Sequence, residues 1–215
     1  MQARAFVNTA GALLALGILT APTAVVAQNN QNHQNNGRPT APSAAAYRAN
    51  RFVASWPQKS REVAMTVMNK YGPPSEATAT RLIWHNNGPW KQTIVYRDPV
   101  MHRFPMPHPD LLEQFIDYQV PPDKFDDLAM YDGSVIAERT KGQLSARCDK
   151  EEANFLALNL AHDIVTGRRT VEEARAFYAM TIKDLIAGQK PAYTQKLQFD
   201  LPRGNTADPD KPAAM

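Results

Sequence analysis

The chain predicts an α+β fold, with helices at both ends and antiparallel strands between them. Three observations carry that expectation. Apolar residues recur at helical spacing over Ser60–Tyr71. β-Branched and aromatic residues gather in Thr80–His85 and Trp90–Arg97. Two capping-box patterns, Asp149 with Glu152 and Thr170 with Glu173, open long apolar-periodic stretches. The expected architecture is an N-terminal helix, an antiparallel sheet of two hairpins plus one further strand, and a C-terminal helical pair.

Residues 1–27 precede this domain with the layout of a secretion signal peptide. Arg4 comes first, then the apolar run Ala10–Leu19, then Pro22 and the small residues Val25, Val26 and Ala27. The run is shorter than the roughly 20 residues that span a bilayer. Cleavage after Ala27 is expected, leaving an exported, periplasmic mature chain that starts at Gln28 and has no transmembrane segment. Residues 28–46 are rich in amide side chains, then in Pro, Ser and Ala. Nothing there offsets the entropy of ordering, so they read as a disordered linker. Residues 47–202 form the single domain, and 203–215, polar and proline-containing, read as a disordered tail.

Within the domain, Val63, Val67 and Tyr71 mark one stripe of the first helix, which Gly72 and Pro73-Pro74 stop. A three-residue loop, Asn86 to Gly88, then sets Trp84 opposite Trp90 and Leu82 opposite Gln92. That register gathers Leu82, Trp84, Trp90, Ile94 and Tyr96 on one face. The four prolines of Asp98–Asp110 argue against regular structure there. A third strand is expected at Gln114–Val120, a short helix from Pro121 to Tyr131, and a second hairpin from Val135–Thr140 to Gln143–Cys148. The helix opened by Asp149 is apolar on most sides and belongs in the centre of the core.

Three strings are distinctive: LIWHNNGPW (Leu82–Trp90), VPPDKFDDL (Val120–Leu128) and SARCDKEEANFLALNLAHDIVTG (Ser145–Gly167). On these, the stretch from Tyr47 to Phe199 resembles a family of exported bacterial proteins to which no activity is attached. The helix, YGPP turn and hairpin of the first half are also similar to small outer-membrane assembly modules. The resemblance implies export and an envelope setting, and brings no site residue with it.

Lys and Arg number 24 against 21 acids, and no cationic run occurs. A nucleic-acid partner, which calls for a clustered basic stripe, is not expected. No phosphate loop or cofactor motif is present, so no cofactor is expected.

Five sets of residues have chemistry to offer. Met101, His102, Met106 and His108 place thioethers and imidazoles in one proline-rich loop, a soft donor set suited to copper, with Glu113 as an available carboxylate. The single cysteine, Cys148, precedes a helix and would need a histidine from elsewhere, such as His85 or His102, to act as a nucleophile. Its place beside Leu144 and Ala146 points instead to a buried, inert thiol. Asn159, His162 and Asp163 share one helix face and read as a hydrogen-bonded network ahead of an acid–base group. Glu138, Arg139 and Arg147 on the second hairpin suit cross-strand ion pairs or an anionic ligand. Trp84 and Trp90, with Tyr96, suit core packing or a ligand platform. The expected function is a non-catalytic binding or envelope-assembly module, its partner an envelope protein or component. A small copper-binding protein using loop 101–110 and a Cys- or His-dependent hydrolase are the alternatives, with no stoichiometric copper or zinc expected.

Overall fold

The computed structural model describes residues 43–213; the expected signal (1–27) and residues 28–42 of the expected linker lie outside the described residues. Two rows of buried side chains run across four strands and set the architecture. Leu82, Val95, Leu112 and Cys148 are successive cross-strand neighbours, as are Trp84, Thr93, Gln114 and Ala146. Because side chains alternate along a strand, both rows lie on one sheet face. The strands are β1 (Glu76–Ala77), β2 (Arg81–Asn87), β3 (Trp90–His102), β4 (His108–Asp117), β5 (Val135–Glu138) and β6 (Gln143–Cys148). All are antiparallel, in the order β1-β2-β3-β4-β6-β5.

Five α-helices accompany the sheet among the described residues: α1 (Ala44–Val53), α2 (Gln58–Tyr71), α3 (Phe125–Tyr131), α4 (Glu151–Val165) and α5 (Val171–Ile186). The α+β class is as expected. Val63 and Val67 of α2 pack with Leu82, Trp84, Val95 and Leu112. Phe155, Leu156, Leu158 and Leu160 of α4 form the second cluster with Trp90, Ile116 and Leu144, joined by Leu128 and Tyr131 of α3 and Tyr178 of α5. Nearly all of α4 is buried, as its all-round apolar sequence requires. Gly72 ends α2 at φ 79°, and the Thr170–Glu173 capping box opens α5. The box expected at Asp149 does not form. Lys150 is the N-cap of α4, and Asp149 pairs instead with Lys59 at 2.8 Å.

Three expectations are corrected. The first hairpin turns through Gly88 and Pro89, with Asn87 opposite Trp90, Trp84 opposite Thr93 and Leu82 opposite Val95. Asn86, at φ 51°, and Lys91 opposite it have no partners in the ladder, which is interrupted there without a change of register. Trp90 nevertheless reaches the helical side and packs on Phe155 in a tilted pair with ring centroids 4.6 Å apart. Ile94 falls on the other face beside its neighbour Glu113, to which the Tyr96 hydroxyl donates at 2.7 Å.

Much of the segment 98–110 is sheet: β3 and β4 continue as a paired hairpin, with Val100 opposite Asp110, Met101 opposite Pro109 and His102 opposite His108. Prolines are tolerated because Pro99 sits in the register shift between Val95 and Val100, and pairing with β6 ends at Leu112 before Pro109 is reached. The third strand accordingly begins at His108 and stops at Asp117.

At the ends, the chain is helical from Ala44, capped by Ser43 and anchored through buried Ala49, Val53 and Trp56. Residues after Arg203 are held too. Thr206 is buried, and its hydroxyl donates to the Gly142 carbonyl at 2.7 Å. Gly142, at φ 65°, admits this approach because a Cβ there would lie 2.0 Å from the Thr206 carbonyl oxygen. A polar segment can dock this way through backbone hydrogen bonds, without the apolar surface that sequence patterns detect.

Candidate metal centre

The extension of the β3–β4 hairpin brings histidines together. His102 and His108 are direct cross-strand partners with ring centroids 5.1 Å apart. Asp110, two residues beyond His108, returns to the same side of the strand. His108 Nε2 lies 3.1 Å from Asp110 Oδ1, and His102 Nδ1 lies 3.4 Å from Asp110 Oδ2. One donor atom from each of the three residues falls within 4.8 Å of the others. A tetrahedral metal with bonds of about 2.0–2.1 Å has ligand–ligand edges of about 3.4 Å. The two closest separations, each to a different oxygen of Asp110, are near that length.

The loop from α3 to β5 completes the surroundings. Asp132 Oδ1 stands 3.7 Å from His102 Nε2 and accepts the Ser134 backbone N–H at 2.8 Å. The Ser134 hydroxyl donates to Asp110 Oδ2 and is 3.3 Å from His102 Nδ1. These contacts orient both rings. His108 Nδ1–H donates to the Met106 carbonyl at 2.8 Å, which turns Nε2 toward Asp110; Nε2 carries a proton there and would give it up to bind a metal. With Asp132 beyond His102 Nε2, the Nδ1 lone pair of His102 faces inward. A histidine whose second nitrogen donates to a carbonyl or carboxylate is the usual arrangement around a bound metal.

The electrostatics call for a cation. Asp110 is only 2% exposed, and its Oδ1 receives no well-directed hydrogen bond despite the nearness of His108. A buried carboxylate oxygen left this way is costly. His108 answers it in part: Asp110 first, then Cys148, pushes its imidazole up to about 11 against the opposing effect of burial. Burial raises the Asp132 carboxyl, although the Ser134 amide, His102 and His108 favour its ionised form.

The residues singled out from sequence fare differently. Met101 and Met106 are 66% and 49% exposed, and the group around His102 and His108 is completed by oxygen atoms. A soft thioether set for copper is therefore not what the hairpin assembles. Glu113 projects from the opposite face of β4, where Tyr96 and Ser145 donate to it. The Trp84 indole donates to the Gly72 carbonyl and the Trp90 indole to Glu151, so both buried tryptophans are spent on internal acceptors. Glu138 pairs with Lys141, and Arg139 with Asp208 and Asp210. Arg147 sits opposite Glu113 in the ladder without forming an ion pair with it among the described residues. These three do not converge.

Asn159, His162 and Asp163 are linked through shared partners, Arg168 and Tyr193, and together hold neighbouring segments, as a structural network. Asn159 bonds the backbone of Tyr193, Lys196 and Gln198. Asp163 takes Arg168, Arg169 and Tyr193. His162 lies between the Tyr118 hydroxyl and the Arg168 guanidinium. Burial, then Arg168, lowers the His162 imidazole.

The Cys148 thiol is 6% exposed, and burial pushes it up, with His108 beside it acting in the opposite direction. Its histidine neighbour is thus His108, not His85 or His102. Native protein is expected to resist a thiol reagent at neutral pH and to label on unfolding. Cys148→Ser should cost roughly 1–3 kcal/mol, measured by urea denaturation, because it buries a hydroxyl among apolar contacts. Rapid labelling of the folded chain would contradict the buried state.

No protein-family model, curated protein or solved structure matches this chain. The reading of the site therefore rests on its own geometry, and the resemblance to exported bacterial proteins gains no support.

Proposed function

We propose that this protein binds one divalent transition-metal ion of the zinc class, through His102 Nδ1, His108 Nε2 and an Asp110 carboxylate oxygen. The observation that carries this reading is the convergence of three donors within 4.8 Å of one another beside a buried carboxylate oxygen without a directed hydrogen bond. Two imidazoles and a carboxylate suit zinc, cobalt or nickel better than cuprous copper. Asp132 and Ser134 serve as the outer partners that fix His102 and Asp110. Metal binding thus moves ahead of a non-catalytic binding or envelope-assembly role, with oxygen and nitrogen ligands in place of sulfur. The setting we propose is the periplasm, reached by export and cleavage after Ala27; a mature chain beginning at Gln28 by mass spectrometry is the expected result.

The test is uptake of zinc or cobalt by purified protein, followed by calorimetry and elemental analysis. One equivalent is expected. His108→Ala and Asp110→Asn should each weaken binding at least 100-fold, and Asp132→Ala about 10- to 100-fold. Absence of uptake, or uptake indifferent to His102 and His108, would overturn the reading.

A further inference from the structure

A small cavity adjoins the candidate metal centre. It has a volume of about 140 Å³ and lies between the hairpin tip, the start of α4 and the last turns of α5. His108 and Cys148 form part of its wall, so the cavity and the metal group share the His108 ring. Tyr178, Ile182, Leu185 and Ile186 of α5 line it at spacings of four, seven and eight residues, one continuous helical stripe. Ile186, at the end of the stripe, is largely exposed. Opposite them stand Pro105, Met106 and Pro107 of the hairpin tip. At the rim, Asp149 is paired with Lys59, whereas Lys150 has no ion-pair partner among the described residues.

Three protein donors leave a tetrahedral metal one position for an outside ligand. Given the metal reading above, on which this step rests, we infer that the outside ligand is a small monocarboxylate with an apolar body. Its carboxylate takes the fourth metal position, and its body fills the cavity along Tyr178, Ile182 and Leu185. With Asp110 as ligand and Asp132 beside His102, a divalent ion leaves the centre close to neutral, and Lys150 supplies the positive charge at the rim that suits a carboxylate. Size fits as well: an apolar cavity of about 150 Å³ accepts a benzene-sized body. The selectivity follows from burial, since each methylene removed from water strengthens binding roughly fourfold.

Cobalt-loaded protein offers a direct test, because the visible bands of cobalt respond to a change in its ligands. Titration with hexanoate should shift these bands at a concentration at least tenfold lower than acetate requires. Ile182→Trp, which fills the cavity, should abolish the hexanoate preference while leaving cobalt uptake intact. Ile186→Ser, at an exposed position that folding does not depend on, should reduce the preference several-fold. Cobalt uptake with equal response to the two acids, or a preference untouched by both substitutions, overturns this inference alone. Failure to take up cobalt overturns the metal reading and this inference together.

Discussion

Replacing Glu151 by leucine is expected to cost about 4 kcal/mol, because its carboxylate is the acceptor at which four elements meet. The Trp90 indole donates to it at 2.6 Å, the Tyr71 hydroxyl at 2.5 Å and the Gln114 amide at 3.1 Å, and Lys70 pairs with its other oxygen. Helix α2, strands β3 and β4, and the first turn of α4 are thereby tied at the seam between the two apolar clusters. Removing the acceptor leaves three donors in or near the interior, each costing roughly 1–3 kcal/mol when unsatisfied. Lys70 is half exposed and adds little. The pH dependence gives a second reading. Burial raises the Glu151 carboxyl, yet donation from Lys70, Tyr71 and Trp90 outweighs it and holds the group below its ordinary 4.5. A group depressed in the folded state stabilises above its unfolded value, and that contribution is lost as pH falls through the folded one. Wild-type stability should therefore decline below about pH 4.5 more steeply than that of Glu151→Leu, as followed by urea denaturation. A loss below 1 kcal/mol, with parallel pH curves, would show that the network is not structural.

The signals that reached the fold from sequence were local ones. Gly72 after an i, i+4 stripe ended α2, and the Thr170–Glu173 pair opened α5, because cap chemistry needs only neighbours in the chain. The β5–β6 hairpin, turning at Gly142, was legible for the same reason. Register in the first hairpin was not. Pairing the tryptophans maximised one apolar face, but the ladder is interrupted at Asn86 and Lys91, and Trp84 and Trp90 reach the same side without being partners. Helix α1 escaped notice because its buried stripe is Ala49 and Val53, continued by Trp56 beyond its end, too small an apolar signal beside a polar linker.

The candidate site was half legible. His102 and His108 stood out as metal-ligating types, but counting prolines made their segment a loop, and in a loop the exposed Met101 and Met106 were equally good donors. Read as a strand, the alternation selects His108 and Asp110 and drops Pro109. Asp132 and Ser134 had no local signal. They arrive from beyond α3 through the packing of Leu128 and Tyr131 into the core, and only the tertiary structure places them beside His102.

The C-terminal segment should depend as strongly on one buried carboxylate. Asp163 is 1% exposed, and its two oxygens receive the Arg168 and Arg169 guanidiniums and the Tyr193 hydroxyl, the last at 2.9 Å. Arg169 is further held over the rings of Phe177, at 4.4 Å, and Tyr193, at 5.5 Å. Four pieces of chain converge there: α4, the turn that follows it, α5, and the short helical turn Ala192–Thr194. Removing one partner of a buried ion pair costs about 3–5 kcal/mol, because the other charge is left uncompensated. Asp163→Ala should fall at the lower end, about 3 kcal/mol, since Arg168 is half exposed and returns to water freely. Arg168→Ala, at the exposed end of the same group, should cost less than 1 kcal/mol. The contrast separates a buried anchor from a surface pair. Asn159, one helical turn earlier, grips the same segment through the carbonyls of Tyr193 and Lys196 at 2.9 and 2.8 Å and the amide of Gln198 at 2.7 Å. Asp163→Ala should consequently speed proteolysis after Lys190 in otherwise folded protein, and adding Asn159→Ala should speed it further. Equal stability of Asp163→Ala and wild type, or unchanged cleavage in the double variant, would mean that the apolar contacts of Phe199 and Leu201 hold the segment without this carboxylate.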